Sequence, residues 1–305
     1  MRANVTFLDG GSLVMNIGVV LPNWIGDVVM ATPTLRALRS GFGDQATLTG
    51  IVRPYAAEVL AGLPWLDEYL HYDPGSSDRA LNATALIRHL RERKLDSIVL
   101  LTNSLRTAMI AWLSGAKQRV GYVRYGRGPL LTARLQPPKV GRQLVPVSAV
   151  DYYLELAYAL GCPEEPRKVE LATTEEDEQA ADHVWRKLGL CSASRVVALN
   201  SGGAYGAAKH WQPDYFADLA KRLIRDSGTA VLMLCGPNER DTAAEIIRLA
   251  SDPRVTSLAG EALSLGLSKA CVRRSQLLIS TDSGPRHFAA GFNVPSVVLF
   301  GATDP

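Results

Sequence analysis

The stretch IGVVLPNWIGDVVMATPTLRALRS, residues 17–40, joins a near-continuous apolar run to an amphipathic one through Pro22, Asn23, Trp24, Ile25 and Gly26. A short apolar run bounded by turn residues predicts a strand buried on both faces, and the periodic run opening at Asp27 predicts a crossover helix. Pro33 lies inside that helical pattern, so it should either kink the helix or open a fresh first turn.

The same alternation extends outward in both directions. ATLTGIV (46–52), EYLHY (68–72) and DSIVLL (96–101) read as strands, with helices expected over 27–40, 54–61, 77–94 and 104–113. The second half repeats the rhythm in RVVALNS (195–201), TAVLMLCG (229–236), RVTSL (254–258), QLLIST (276–281) and SVVLFG (296–301), with helices over 213–227, 240–250, 263–273 and 285–292. An acidic helix over 175–188, with Thr174 as its N-cap, lies between the halves. Gly161, Pro163 and Pro166 interrupt the pattern and set domains at 1–165 and 166–305. The expected fold is α/β: two Rossmann-like, doubly wound domains facing across a cleft. Such sheets bind ligands at the carboxyl ends of their strands.

Composition narrows the classes. A 305-residue chain that is 47% hydrophobic and 21% charged has material for two cores and no sign of disorder. Its four cysteines stand far apart without a C-x-x-C pair, which points to reduced thiols in a cytoplasmic setting. No apolar run reaches the ~18 residues of a membrane helix, and the N-terminus makes a poor signal peptide. Residues 97–150 contain no acid yet hold Arg106, Lys117, Arg119, Arg124, Arg127, Arg134, Lys139 and Arg142, so this window carries +8 in a chain of net charge +3. It reads either as a solvated basic face or as a surface for an anionic partner. Nucleic acid is the weaker candidate, because only Tyr122 and Tyr125 offer bases a stacking surface there.

Three motifs follow predicted strands. Asp27, after IGVVL, is either a helix cap or a carboxylate held at the cleft as a general base. NSGGAYGAAKHW (200–211) is a small-residue loop that a ligand could approach closely, with Lys209 as a cation or merely a surface residue. It matches neither a Walker loop nor GxGxxG. In STDSGPRHFAAGFNVPSVVLFGATDP (280–305), Asp282, Ser283 and Gly284 close a strand, Pro285 opens a helix, and amides there could meet an anion. His287 projects from that first turn, either as a structural group or as part of the site. The five histidines (His71, His89, His183, His210 and His287) lack ligand spacing, so no metal is expected.

Together LPNWIGDVVMATPTLRALR, GGAYGAAKHW and TDSGPRHFAAGFNVPSVVLFGATDP resemble the signature blocks of the ADP-heptose:lipopolysaccharide heptosyltransferases, glycosyltransferase family 9, and most of all the heptosyltransferase II branch. The blocks stand in the family's order and span about Met15 to Pro305. Residues 1–14 precede the family's usual start and read as an extension, whereas the chain stops at Pro305 where members continue.

The resemblance implies inverting transfer of L-glycero-D-manno-heptose from an ADP-sugar to the inner core of lipopolysaccharide. It places the catalytic base on Asp27 and the diphosphate-binding lysine on Lys209, with loop contacts at Ala204 and Tyr205. Further donor contacts fall on Asp282, Ser283, Gly284 and His287, and the ribose-binding glutamate on Glu239. Arg119, Arg124 and Arg127 are the expected acceptor contacts within the basic window. The implied enzyme is cytoplasmic and peripheral to the inner membrane, needs no cofactor beyond its ADP-heptose donor, and meets a phosphorylated core acceptor but no nucleic acid. The fold the resemblance implies is the two-domain glycosyltransferase arrangement called GT-B; a GT-B transferase using another nucleotide sugar, or a nucleotide-sugar-binding protein without turnover, is the alternative.

Overall fold

The computed structural model describes residues 14–141, 143–202 and 211–301. The chain divides into two compact units, Met1–Val169 and Glu170–Pro305. The break falls later than the 165/166 boundary because Arg36 draws the intervening segment to the first unit. Its guanidinium donates to Glu165 Oε2 at 2.9 Å, to the Pro166 carbonyl at 2.7 Å and to the Lys168 carbonyl at 3.2 Å.

In the first unit, β1 (Met15–Val20) leads into α1 (Ile25–Met30) and α2 (Thr32–Phe42). Pro33 marks the fresh first turn of α2, where a missing N–H costs nothing. There follow β2 (Ala46–Val52), α3 (Pro54–Leu60), β3 (Glu68–His71), α4 (Ala83–Glu92), β4 (Ser97–Leu100) and α5 (Leu105–Leu113). The strand and helix spans read from the pattern agree with these to within a few residues at most ends. The pattern did not announce β5 (Gln118–Tyr122), β6 (Ala133–Leu135), the hairpin β7 (Lys139–Val140) and β8 (Gln143–Leu144), or α6 (Ala149–Tyr158). The main sheet runs β3-β2-β1-β4-β5-β6, all parallel. Val20, Ile51, Ile98 and Leu100 from its strands pack with Leu86, Leu90, Ala108 and Ile110 from the covering helices, which is why those strands read as unbroken apolar runs.

The second unit contains α7 (Glu175–Lys187), β9 (Val196–Asn200), α8 (Pro213–Ser227), β10 (Ala230–Leu234), α9 (Arg240–Ala250), β11 (Val255–Ser257), α10 (Leu265–Arg274), β12 (Leu277–Thr281), α11 (Arg286–Phe292) and β13 (Ser296–Leu299). Thr174 caps α7 as expected, in a reciprocal box with Asp177. The sheet runs β11-β10-β9-β12-β13, again parallel. In each sheet the order reverses beside the first strand, between β1 and β4 and between β9 and β12. A doubly wound sheet opens a crevice at that reversal.

Replacing Arg36 by alanine should lower the first unit's stability by about 2 kcal/mol, since charge-assisted bonds are lost from a mostly buried group. It should also speed proteinase K cleavage within residues 163–169. Unchanged melting and cleavage would show that the segment docks without Arg36.

Candidate active site

In the first unit, the chain leaves β1 and turns directly into α1, which places Asp27 in the first turn of that helix. The cap position belongs to Trp24, without a side-chain hydrogen bond, so Asp27 is no cap. Its half-buried carboxylate instead accepts a hydrogen bond from the Tyr153 hydroxyl of α6 at 3.0 Å. Burial raises the Asp27 pKa above the ordinary 3.8, and the Tyr153 bond only partly offsets that. Tyr153 is itself buried, and its proton is held more tightly than usual by burial and by the neighbouring carboxylate.

A buried network sets α6 in place. Arg127 is fully buried. Its Nε donates to the Tyr122 carbonyl at 2.8 Å, its Nη1 to the Thr102 carbonyl, and its Nη2 to Asn103 Oδ1 at 3.0 Å. Asn103 Oδ1 also accepts from the Tyr152 hydroxyl at 3.1 Å, and the Tyr152 ring stacks on Tyr122 with centroids 3.7 Å apart. Tyr152 precedes Tyr153, so the guanidinium fixes the helix that reaches Asp27. This corrects the expectation that Arg127 meets an acceptor. Every face of its guanidinium is spent inside the fold, and burial lowers its pKa to about 10. Arg119 is also turned inward, donating to the Leu130 and Ala116 carbonyls at 2.7 Å each. Arg124 lies over the exposed Tyr125 ring, 5.0 Å from its centroid.

A pocket of about 430 Å³ opens where β1 to β4 end, lined by Asn23, Arg53, Tyr72, Ser104, Arg106 and Thr107 among others. Tyr72 is 8% exposed, and neither its hydroxyl nor Arg53 Nε has a hydrogen-bond partner among the described residues. The ion pair of Arg53 with Asp73 is long, at 3.9 Å. Ser104 caps α5 by accepting from the Thr107 amide at 3.0 Å. Two guanidinium groups, an unsatisfied phenol and a helix start suit an anionic group. The sequence counted Arg106 only as part of a basic window and passed over Arg53, although that residue follows a predicted strand directly.

In the second unit the residues around the β9/β12 reversal are tied together. Asn200 Nδ2 donates to Ser283 Oγ at 2.8 Å and to Ser280 Oγ at 3.1 Å, and Thr281 Oγ1 donates to the Gly202 carbonyl. Glu239 accepts from the Gly236 amide at 2.7 Å, and its carboxylate lies against Gly202. A Cβ at Gly202 would stand 2.0 Å from Glu239 Oε1, so only glycine fits beneath that carboxylate. Asp282 pairs with Arg286 at 3.0 Å. Gly284 accepts the His287 amide at 3.1 Å. Burial, with Arg286 beside it, lowers the His287 pKa to about 4, so its ring is neutral at pH 7. Lys209, Ala204 and Tyr205 lie outside the described residues, as does Arg142 of the basic window. Among the described residues no group of three or more His, Cys, Asp or Glu could hold a metal ion.

The raised pKa of Asp27 has a thermodynamic consequence. A carboxyl whose folded value exceeds its unfolded one contributes stability below the unfolded value, about 3.8, and that stability is lost as pH rises through the folded value. The helix dipole of α1 opposes this only weakly, because α1 has six residues. Asp27→Asn should therefore melt higher than the parent at pH 7, and the gap should close towards pH 4. A variant that melts lower at pH 7 would contradict the burial argument.

The sequence profile of glycosyltransferase family 9 (heptosyltransferase) matches residues 83–305. Lipopolysaccharide heptosyltransferase 2 of Escherichia coli strain K12 is 25% identical over 299 residues, which cover 95% of this chain and 84% of that one. The solved structure of the E. coli ADP-heptose lipopolysaccharide heptosyltransferase II aligns with a TM-score of 0.77 and 25% identity, covering 95% of this chain and 86% of that one. A family 9 glycosyltransferase from Veillonella parvula shares the fold with a TM-score of 0.82 at 24% identity, over 96% of this chain and 82% of that one. Both structural likenesses support the two-domain α/β class. The chain belongs to glycosyltransferase family 9, the heptosyltransferases, and is a glycosyltransferase.

Proposed function

We propose that the protein transfers a heptose, with inversion, from ADP-L-glycero-D-manno-heptose to a phosphorylated inner-core acceptor of lipopolysaccharide at the inner face of the inner membrane. The observation that carries this reading is the half-buried Asp27 carboxylate held by Tyr153 directly after β1. Burial gives the carboxylate more proton affinity than a free aspartate has, which suits a general base. The acceptor hydroxyl oxygen bonds to the anomeric carbon while the bond from that carbon to ADP breaks. The hydroxyl proton passes to Asp27, and ADP leaves with the bonding electrons.

Negative charge grows on the departing diphosphate, and fixed dipoles and cations stabilise it best. Lys209 and the loop around Ala204 and Tyr205 take that role on the family resemblance, with the Ser283–Gly284 turn. Glu239 and Asp282 position the nucleoside and the sugar. His287, neutral at working pH, serves as a hydrogen-bonding group rather than a cation. The acceptor's anionic group occupies the Arg53–Arg106–Tyr72 pocket, which replaces Arg119 and Arg127 in that role. No metal takes part.

Incubation with ADP-heptose and a defined core acceptor should release ADP and add one heptose mass to the acceptor, undiminished by excess EDTA. Asp27→Asn should slow turnover by ~10²–10⁴-fold while donor binding stays nearly intact. Loss of activity in chelator that magnesium restores would overturn the metal-free account. Normal turnover by Asp27→Asn would remove the base.

A further inference from the structure

Helix α5 is apolar on both of its faces. Its sequence, LRTAMIAWL, carries one charge, Arg106. Thr107, Ala108, Ile110 and Ala111 are buried against the sheet. Leu105, Met109 and Trp112 nonetheless stand 45%, 46% and 54% exposed. Spaced i, i+4 and i+7, they fall within about 60° of one another around the helix and form one stripe. A helix apolar all round is normally covered on every side, so among the described residues this face lacks the apolar neighbour that its composition suits.

Charge narrows what covers it. Arg106 is exposed beside the stripe, and α5 lies within the acid-free window 97–150. Helix α4 packs against α5 and adds exposed Arg88 and Arg91. Arg91 Nε also donates to the Leu113 carbonyl at 2.8 Å, at the end of α5. Within α4 and α5 the acid is Glu92, which lies 3.4 Å from His89. Tryptophan and leucine flanked by arginines match the boundary of a bilayer with anionic headgroups, where apolar side chains enter and cations stay at the phosphate level. The pocket adds a second argument, because Leu105, Arg106 and Thr107 form part of its wall. An acceptor whose anionic group enters that pocket would have its lipid beside the stripe.

We propose that the Leu105–Met109–Trp112 stripe, with Arg106, Arg88 and Arg91 around it, is the surface through which the protein docks on an anionic lipid bilayer. The link to catalysis rests on the lipid-linked acceptor proposed above, whereas docking itself does not. No helix among the described residues is long and apolar enough to cross a membrane, so docking of this kind is interfacial.

Co-sedimentation of the full chain with vesicles of phosphatidylglycerol and phosphatidylcholine tests this. The protein should bind the mixed vesicles, bind pure phosphatidylcholine far less, and weaken as salt rises. The triple variant Leu105→Ser, Met109→Ser, Trp112→Ser changes exposed positions, so its melting temperature should barely move. Its vesicle affinity should fall on the order of 100-fold, and Arg106→Gln should cost about fivefold. With the acceptor embedded in vesicles the double variant Met109→Ser, Trp112→Ser, which spares the Leu105 wall of the pocket, should lose kcat/KM, yet turn over a delipidated acceptor like the parent. Equal vesicle binding by parent and triple variant, or no binding by either, would overturn the proposal. Self-association of the parent that the triple variant abolishes would assign the stripe to a second copy instead. Inactivity towards both acceptor forms, with vesicle binding intact, would sink the catalytic reading alone.

Discussion

The strand order of each sheet reverses beside its first strand, and that constraint places Asp27 in the first unit and the Gly202 and Ser283 turns in the second. A parallel strand followed by a helix must cross back over one face of the sheet, and where successive crossovers take opposite faces the loops part. In the first unit the parting loops follow β1 and β4, which puts Asp27 on one side and Thr102, Asn103 and Ser104 on the other. In the second unit they follow β9 and β12, where Asn200 and Gly202 are tied across to Ser283 and Thr281. Hydrogen bonds across the strand ends keep these loops in register. Asn200, which reaches Ser280 and Ser283, acts within the second unit much as Arg127 acts within the first.

Arg127 shows how a costly group can be used. Burying a guanidinium is expensive unless each donor finds an acceptor. Here the acceptors are the carbonyls ending β4 and β5 and the Asn103 side chain. Gly121 makes room, since a Cβ there would lie 3.2 Å from Nη2. Through Asn103 and Tyr152 the cation determines where α6 lies, and α6 carries Tyr153 to the Asp27 carboxylate. The hydroxyl does two things at once: it orients the carboxylate and moderates the rise in pKa that burial imposes. A base left wholly to desolvation would hold its proton more firmly after transfer.

Much of this was legible in the residues. Parallel strands covered on both faces are apolar throughout, and the helices between them end at Gly, Pro or polar caps, so alternation alone gave both Rossmann-like units. Asp27, Asp282 and Ser283 could be singled out because each follows a strand, and Glu239 through the family resemblance. Tyr153 could not. Its helix, AVDYYLELAY, mixes aromatic and aliphatic residues without clear periodicity, and its bond to Asp27 spans 126 residues. The basic window misled for a related reason. Charge along a sequence does not reveal which guanidinium groups turn inward to satisfy carbonyls, as Arg119 and Arg127 do. Arg53 and Tyr72, isolated in sequence, form a site only because β2 and β3 are neighbours in the sheet.

The central claim is that the Tyr153 hydroxyl holds and tunes Asp27 as the base. Arg36 and Arg39 of α2, Tyr55 and Glu58 of α3, and Asp151 and Glu155 of α6 belong to elements packed against α1. Among the described residues, however, the donor to the Asp27 carboxylate is Tyr153. The pH dependence of kcat/KM for the parent and for Tyr153→Phe tests the claim most directly. The account predicts an acid limb in the parent above the 3.8 of a free aspartate. In Tyr153→Phe that limb should move to still higher pH, because the lost hydrogen bond favoured the ionised form. An acid limb unmoved in Tyr153→Phe, with only the melting temperature lowered, would reduce Tyr153 to a packing residue and contradict the account.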